Sequence, residues 1–209
     1  NRTWTDYDGI SPYVIDALIA TEDIRFYRHS GIDFRSFGRV LVKSIILGKN
    51  TGGGSTITQQ LAKNLFLPRD LSNDNAIVRN ARLAIAKFKE WQTAVKLERS
   101  YTKEEIITMY LNVFDFIYNA VGISSASRVY FNTTPDSLNI EQSALLVGML
   151  KNSVAYNPLR NEESALRRRN VVISQMERYG YITRDVADSV KLLPLGIALR
   201  EASHNTGPA

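Results

Sequence analysis

Residues 76–99, AIVRNARLAIAKFKEWQTAVKLER, run without a single Gly or Pro. Ala, Leu, Lys, Glu and Arg dominate the stretch, and these side chains lose little freedom in a helix. The composition predicts one long α-helix. On its C-terminal side, Tyr101-Thr102-Lys103-Glu104-Glu105 has the form of a capping box, with Thr102 as cap and Glu105 three positions on, before Ile106, Ile107, Met109, Tyr110 and Leu111. On its N-terminal side, residues 68–75 are rich in Asp and Asn and predict a loop.

The same pattern continues outward. Ser11-Pro12 predicts a helix start, cap before first-turn proline, and the run that follows ends in Glu22-Asp23. Phe34 to Leu47 is a second apolar segment interrupted by Arg35, Arg39 and Lys43, and after Gly52-Gly53-Gly54 comes the polar segment TITQQLAKNLF. Further helices are expected from Asn139 to Leu150, from Asn161 to Tyr179 with Gly180 as terminator, and from Thr183 to Val190. Strand signals are almost absent, so the expected class is all-α.

Composition narrows the chemistry. The 209 residues suit one domain, or one with a small subdomain, and 44% hydrophobic content is enough for a sizeable core. With no cysteine, disulfides, thiol nucleophiles and thiolate metal sites are excluded. Two histidines, His29 and His204, leave little material for a Ser-His-Asp triad or a His-rich zinc site. Carboxylates, amines and amides remain. A net charge of +5 points to an anionic partner, whether nucleic acid, lipid surface or phosphorylated substrate. No 18-residue apolar run is present. The start at Asn1 and the polar tail from Glu201 to Ala209 are taken as excision points from a longer protein.

Four constellations stand out. Glu22-Asp23-Ile24-Arg25-Phe26-Tyr27-Arg28-His29 places two carboxylates after apolar residues. Burial raises a carboxyl's proton affinity, which suits a general acid or base. Solvated acids paired to Arg25 or Arg28 fit the same residues. Ser55, Thr56, Thr58, Gln59, Gln60 and Lys63 follow the glycines without P-loop spacing, and suit either a diphosphate or sugar grip or a plain polar helix. Lys87 and Glu90, three apart, are either a surface ion pair or a leaving-group and metal site. Phe34 to Leu47 suits a membrane interface or a buried amphipathic helix.

Taken in order, these segments resemble the peptidoglycan glycosyltransferase domain, glycosyltransferase family 51, of class A penicillin-binding proteins and monofunctional transglycosylases. Residues 22–31, EDIRFYRHSG, resemble its first signature and residues 53–64, GGSTITQQLAKN, its second. Lys87-Phe-Lys-Glu90, Leu97-Glu98-Arg99, Thr102 to Ile106 and Tyr110-Leu111-Asn112 resemble the third. Tyr130-Phe131, Tyr156-Asn157-Pro158 and Arg168-Arg169-Asn170 continue the likeness over nearly the whole chain. One departure is visible: where relatives commonly carry a glycine-containing segment, this chain has Ile117 and Tyr118.

The resemblance implies a lysozyme-like, bilobal all-α fold, with a membrane-associated jaw at about residues 32–52. It implies polymerisation of lipid II into β-1,4-linked glycan, with inversion and release of undecaprenyl diphosphate. Glu22 would be the general base, Lys87 would stabilise the leaving group, and Glu90 would organise the diphosphate through a divalent cation, Mg or Mn. Asp23, Arg25, Phe26, Arg28, His29, Ser55, Thr56, Gln59, Gln60, Lys63 and Asn64 would bind substrate. Implied partners are lipid II, the lipid-linked glycan, an anionic membrane surface, other cell-wall synthesis proteins and a C-terminal transpeptidase domain, with no nucleic acid. The implied location is the outer face of a bacterial cytoplasmic membrane, anchored by a helix outside this chain. A lysozyme-like hydrolase or lytic enzyme and a non-catalytic basic membrane binder are the alternatives.

Overall fold

The computed structural model of the chain describes residues 3–47, 54–66 and 76–198. The described residues form nine α-helices and three short 3₁₀ turns. In chain order the helices are α1 (Pro12–Glu22), α2 (Phe34–Leu47), α3 (Ile57–Phe66), α4 (Ala76–Ser100), α5 (Lys103–Val113), α6 (Ile123–Phe131), α7 (Ile140–Leu150), α8 (Glu162–Arg178) and α9 (Arg184–Lys191). The only pairing of strand type among them is an isolated antiparallel bridge, Asp115 to Val121. The expected all-α class is the class observed.

α7 sits at the centre because it is apolar on every side: Ser143 to Leu150 are all buried. α1 and α8 pack on it and on each other, and α9 covers α8. A second group forms where α3 packs against α4 and α5. One hydrophobic core runs through both, from Val14 and Leu18 of α1 through Ile57 and Leu61 of α3 to Ile106 and Leu111 of α5.

Local signals set the helix ends. The Thr102–Glu105 capping box is formed at α5, and Asn139 makes a second one with Gln142 at α7. Ser11 does precede Pro12 at the start of α1, but its hydroxyl caps nothing. It donates instead to the Leu138 carbonyl at 2.7 Å, while its N–H donates to Pro135 O. Burial between two turns directs this hydroxyl to an acceptor the core would otherwise strand.

The segment after α5 is unusual. Ile117, Tyr118 and Asn119 have φ of 59°, 53° and 60°, three consecutive left-handed residues without glycine. Ala120 N–H donates to Ile117 O, and Asp115 accepts from the Ile117 N–H at 2.8 Å, closing a tight turn under the bridge. The expected loop at 68–75 and residues 48–52 of the expected jaw lie outside the described residues.

Candidate active site

Glu22 is the last residue of α1, so the burial of Val14, Leu18 and Ile19 aims it out of the core at one defined point. Its side chain is 15% exposed and lies between two cavities. Both carboxylate oxygens are engaged. Arg168 Nη2 of α8 lies 3.3 Å from Oε1, and the Gln60 amide of α3 donates to Oε2 at 3.1 Å. Gln60 is held in turn by Tyr110, which is fully buried and donates its hydroxyl to Gln60 Oε1 at 2.8 Å. Burial, and then the nearby charge of Glu22, push the Tyr110 phenol well above its ordinary range, so it remains a donor.

The larger cavity, about 660 Å³, brings Glu22 together with Ser55, Gln60, Lys63, Asn64, Lys87 and Glu90. Lys63 and Asn64 are exposed on the last turn of α3. Lys87 donates to Ser55 Oγ at 2.7 Å and to Glu90 Oε1 at 2.6 Å. Of that pair, Glu90 is 2% exposed and Lys87 is 35% exposed, so the ammonium is the half that reaches the cleft. The smaller cavity, about 240 Å³, lies on the other side of Glu22 against Ser36 and Arg39 of α2 and Gln175 of α8.

Glu90 is the candidate ligand for the expected divalent cation. Its buried carboxylate already holds an ammonium, and among the described residues no three of His, Cys, Asp or Glu come together. A magnesium ion at a diphosphate takes one or two carboxylates and completes its shell with phosphate oxygens and water, so a cation here would be held together with the substrate.

Other expected contacts are engaged with neighbouring groups, although Asp23 and Thr56 also border the smaller cavity. Asp23 and His29 are each 4% exposed at the side chain and pair at 2.9 Å. Gly31 N–H points at His29 Nδ1, which leaves Nε2 to donate to Asp23. Asp23 also accepts the N–H of Ile57 at 3.1 Å, tying the end of α1 to the start of α3. Phe26 is fully buried, with the Lys103 ammonium 4.3 Å above its ring. Thr56 and Gln59 form a reciprocal capping box for α3: Gln59 N–H donates to Thr56 Oγ1, and Thr56 N–H donates to Gln59 Oε1, both at 3.1 Å. The pattern Thr-x-x-Gln carried that signal in the sequence. Thr56 further donates to the Gly31 carbonyl at 2.7 Å. Arg25 and Arg28 line neither cavity beside Glu22.

Two further residues of the site, Arg168 and Tyr110, stand in motifs of the sequence but carry no local signal of their role. Arg168 belongs to the run Arg167-Arg168-Arg169, and helical rotation sends each guanidinium elsewhere. Arg167 pairs with Glu163 on the surface, Arg168 meets Glu22, and buried Arg169 donates to the carbonyls of Lys191 and Pro194. Tyr110 sits in a run of apolar residues of α5, and nothing local separates it from a packing tyrosine.

Comparison with known proteins agrees on one family. The model of the family described as Transglycosylase matches residues 1–177. The chain is 36% identical over 203 residues to penicillin-binding protein 1F of Bacillus subtilis, covering 97% of this chain and 27% of that protein. It is 42% identical over 183 residues to penicillin-binding protein 1A/1B of the same organism, covering 87% of this chain and 19% of that one. The chain thus spans about a quarter or less of the length of these relatives. A crystal structure of penicillin-binding protein 1A from Haemophilus influenzae aligns over 69% of this chain and 17% of its own, at 23% identity and a TM-score of 0.45.

Proposed function

The chain belongs to the transglycosylase family, and on that premise we propose that it polymerises lipid II into β-1,4-linked glycan strands with release of undecaprenyl diphosphate. The observation that carries the reading is Glu22, held by Arg168 and Gln60 at the junction of two cavities, one of which also contains the Lys87 ammonium.

A sugar 4-hydroxyl is a weak nucleophile. It gains strength when a fixed carboxylate accepts its proton as the new bond to the anomeric carbon forms. Glu22 has the required fixity, since each of its oxygens is already oriented by one donor. The departing diphosphate takes the electrons of the broken bond and needs no proton if cations meet its growing charge. Lys63 and Lys87 supply them, Lys87 with its head already positioned by Ser55 and Glu90. Attack and departure on opposite faces of the anomeric carbon invert its configuration.

The setting proposed with this activity is the outer face of a bacterial cytoplasmic membrane, with lipid II and the lipid-linked glycan as substrates. A transpeptidase domain and other cell-wall synthesis proteins complete the machinery. No helix among the described residues is long and apolar enough to cross a membrane. Exposed Phe34, Phe37 and Val42 of α2 suit a surface laid against lipid.

The test is incubation with labelled lipid II. Growth of long glycan strands, absent in Glu22→Gln, is expected. Fragments released from preformed glycan, with no strand growth, overturn the reading in favour of a hydrolase.

A further inference from the structure

Arg25, Arg28 and Arg35 line a cavity of about 500 Å³ that Glu22, Lys87 and Glu90 do not reach. The one acid in its wall is Asp33, and that carboxylate is committed to the start of α2. Asp33 Oδ1 accepts the N–H groups of Arg35 and Ser36, each at 3.1 Å, and Oδ2 accepts the Ser36 hydroxyl at 2.6 Å. Three arginines thus share the cavity wall with one carboxylate whose hydrogen-bonding capacity is largely spent.

The arginines themselves are under-used. Arg25 Nε is buried without a hydrogen-bond partner, 3.5 Å from Asp33 Oδ2. Arg28 and Arg35 are exposed, and neither forms an ion pair among the described residues. Planar guanidinium forks match the oxygens of a phosphate group, and clustered like charges favour an anion between them. The cavity wall also includes Phe34, which is 69% exposed. Phe37 and Val42 further along α2 are exposed as well, as are Ile85 and Phe88 of the neighbouring α4. The Phe37 ring meets Trp91 edge-on at 5.5 Å, which fixes α2 beside α4. A guanidinium cluster bordered by exposed aromatic and aliphatic side chains is the arrangement of a surface lying at the level of lipid headgroups.

We propose that the Arg25–Arg28–Arg35 cavity is a phosphate-binding site distinct from the Glu22 cleft, and that it holds the phosphodiester headgroup of an anionic phospholipid. Phe34 then contacts the adjoining acyl region. The site needs no lipid II, so it stands or falls separately from the polymerase reading.

The experiment is co-sedimentation of the chain with phosphatidylcholine vesicles, with and without phosphatidylglycerol, and with no lipid II present. Arg28→Gln/Arg35→Gln is expected to weaken partition onto the anionic vesicles roughly ten- to thirty-fold, at about one surface charge's worth of attraction per arginine. Arg128→Gln/Arg160→Gln removes the same charge from exposed positions outside this cavity, and its partition is expected to stay within twofold of the parent chain. Thermal unfolding of both variants checks that each is folded. An equal loss in the two variants means diffuse attraction and overturns the site, as does no loss in the first. Glycerol phosphate is titrated without vesicles in parallel. Saturable binding there, lost in Arg28→Gln/Arg35→Gln while vesicle partition is unchanged, moves the source to a soluble phosphoester and overturns the lipid assignment.

Discussion

Arg168 and Glu22 stand 146 residues apart in sequence and 3.3 Å apart in space. Both side chains are mostly shielded, at 12% and 15% exposure. Glu22→Gln keeps the shape but removes the proton acceptor, so strand growth from lipid II should fall at least ~100-fold. Lipid II binding, measured separately, should change little. Arg168→Ala leaves the carboxylate without its cation and should lower turnover more than substrate affinity, with Arg168→Lys recovering part of the loss. Wild-type turnover in either single variant would remove the assigned roles.

Tyr110→Phe deletes one hydroxyl and leaves Gln60 Oε1 without the donor that orients its amide toward Glu22. An unmade buried hydrogen bond costs about 1–3 kcal/mol. The melting temperature should drop by a few degrees, and turnover should drop more than KM rises. A loss confined to stability would make Tyr110 a packing residue only.

Lys87→Ala exposes the buried Glu90 carboxylate to an interior without its ammonium, and removes a cation from the cleft. The expectation is a fall in turnover, with Lys87→Arg intermediate. Because Glu90 is 2% exposed, loss of its ammonium should also cost stability, up to about 3–5 kcal/mol, which thermal unfolding measured alongside the rate will separate from the catalytic loss.

Ile117→Gly should stabilise the chain. A left-handed residue with a Cβ costs roughly 1–2 kcal/mol, and a branched one sits there with φ of 59°. Glycine recovers part of that, less its own entropic cost of about 0.5–1 kcal/mol. A net gain of up to ~1 kcal/mol by denaturant unfolding is expected. A loss would show that the Ile117 side chain contributes more by packing than its backbone costs.

Asp33 gives a pH signature. Its burial acts to raise the carboxyl pKa, but bonds from Ser36 and Arg35 and the charge of Arg25 outweigh it and hold the group below its ordinary value. The folded state therefore prefers the ionised form. That stabilisation is complete above the unfolded pKa, near 4, and is lost as pH falls through the lower folded value. Asp33→Asn should be less stable than the parent at pH 7, and the gap should close toward pH 3. A pH-independent gap would mean the charge of Asp33 is not what caps α2.

The sequence and the structure agree where the governing forces are local. The long Gly- and Pro-free stretch at 76–99 became α4, and Thr102 and Glu105 formed their box, because propensity and capping act within one turn of helix. Glu22, Gln60 and Lys87 come from three separate motifs and line one cleft. Thr56 and Gln59 follow the local Thr-x-x-Gln capping pattern, and their hydrogen-bonding groups serve each other and the Gly31 carbonyl. Asp23 and His29 likewise spend their polar atoms on one another and on the start of α3.

By itself the amino-acid sequence determined the all-α class, the helix starts at α4, α5 and α7, the exclusion of thiol chemistry, and the motif order that marks the family. Each of these depends on residues within a few positions of one another or on composition. Only the tertiary structure decided which of three consecutive arginines meets Glu22, that Tyr110 orients Gln60, and that Arg25 and Arg28 border a separate cavity with Arg35. The reason is geometric. Successive helix residues point about 100° apart, and which direction finds a partner depends on how α1, α3, α5 and α8 pack, a matter of long-range contacts that no local pattern encodes.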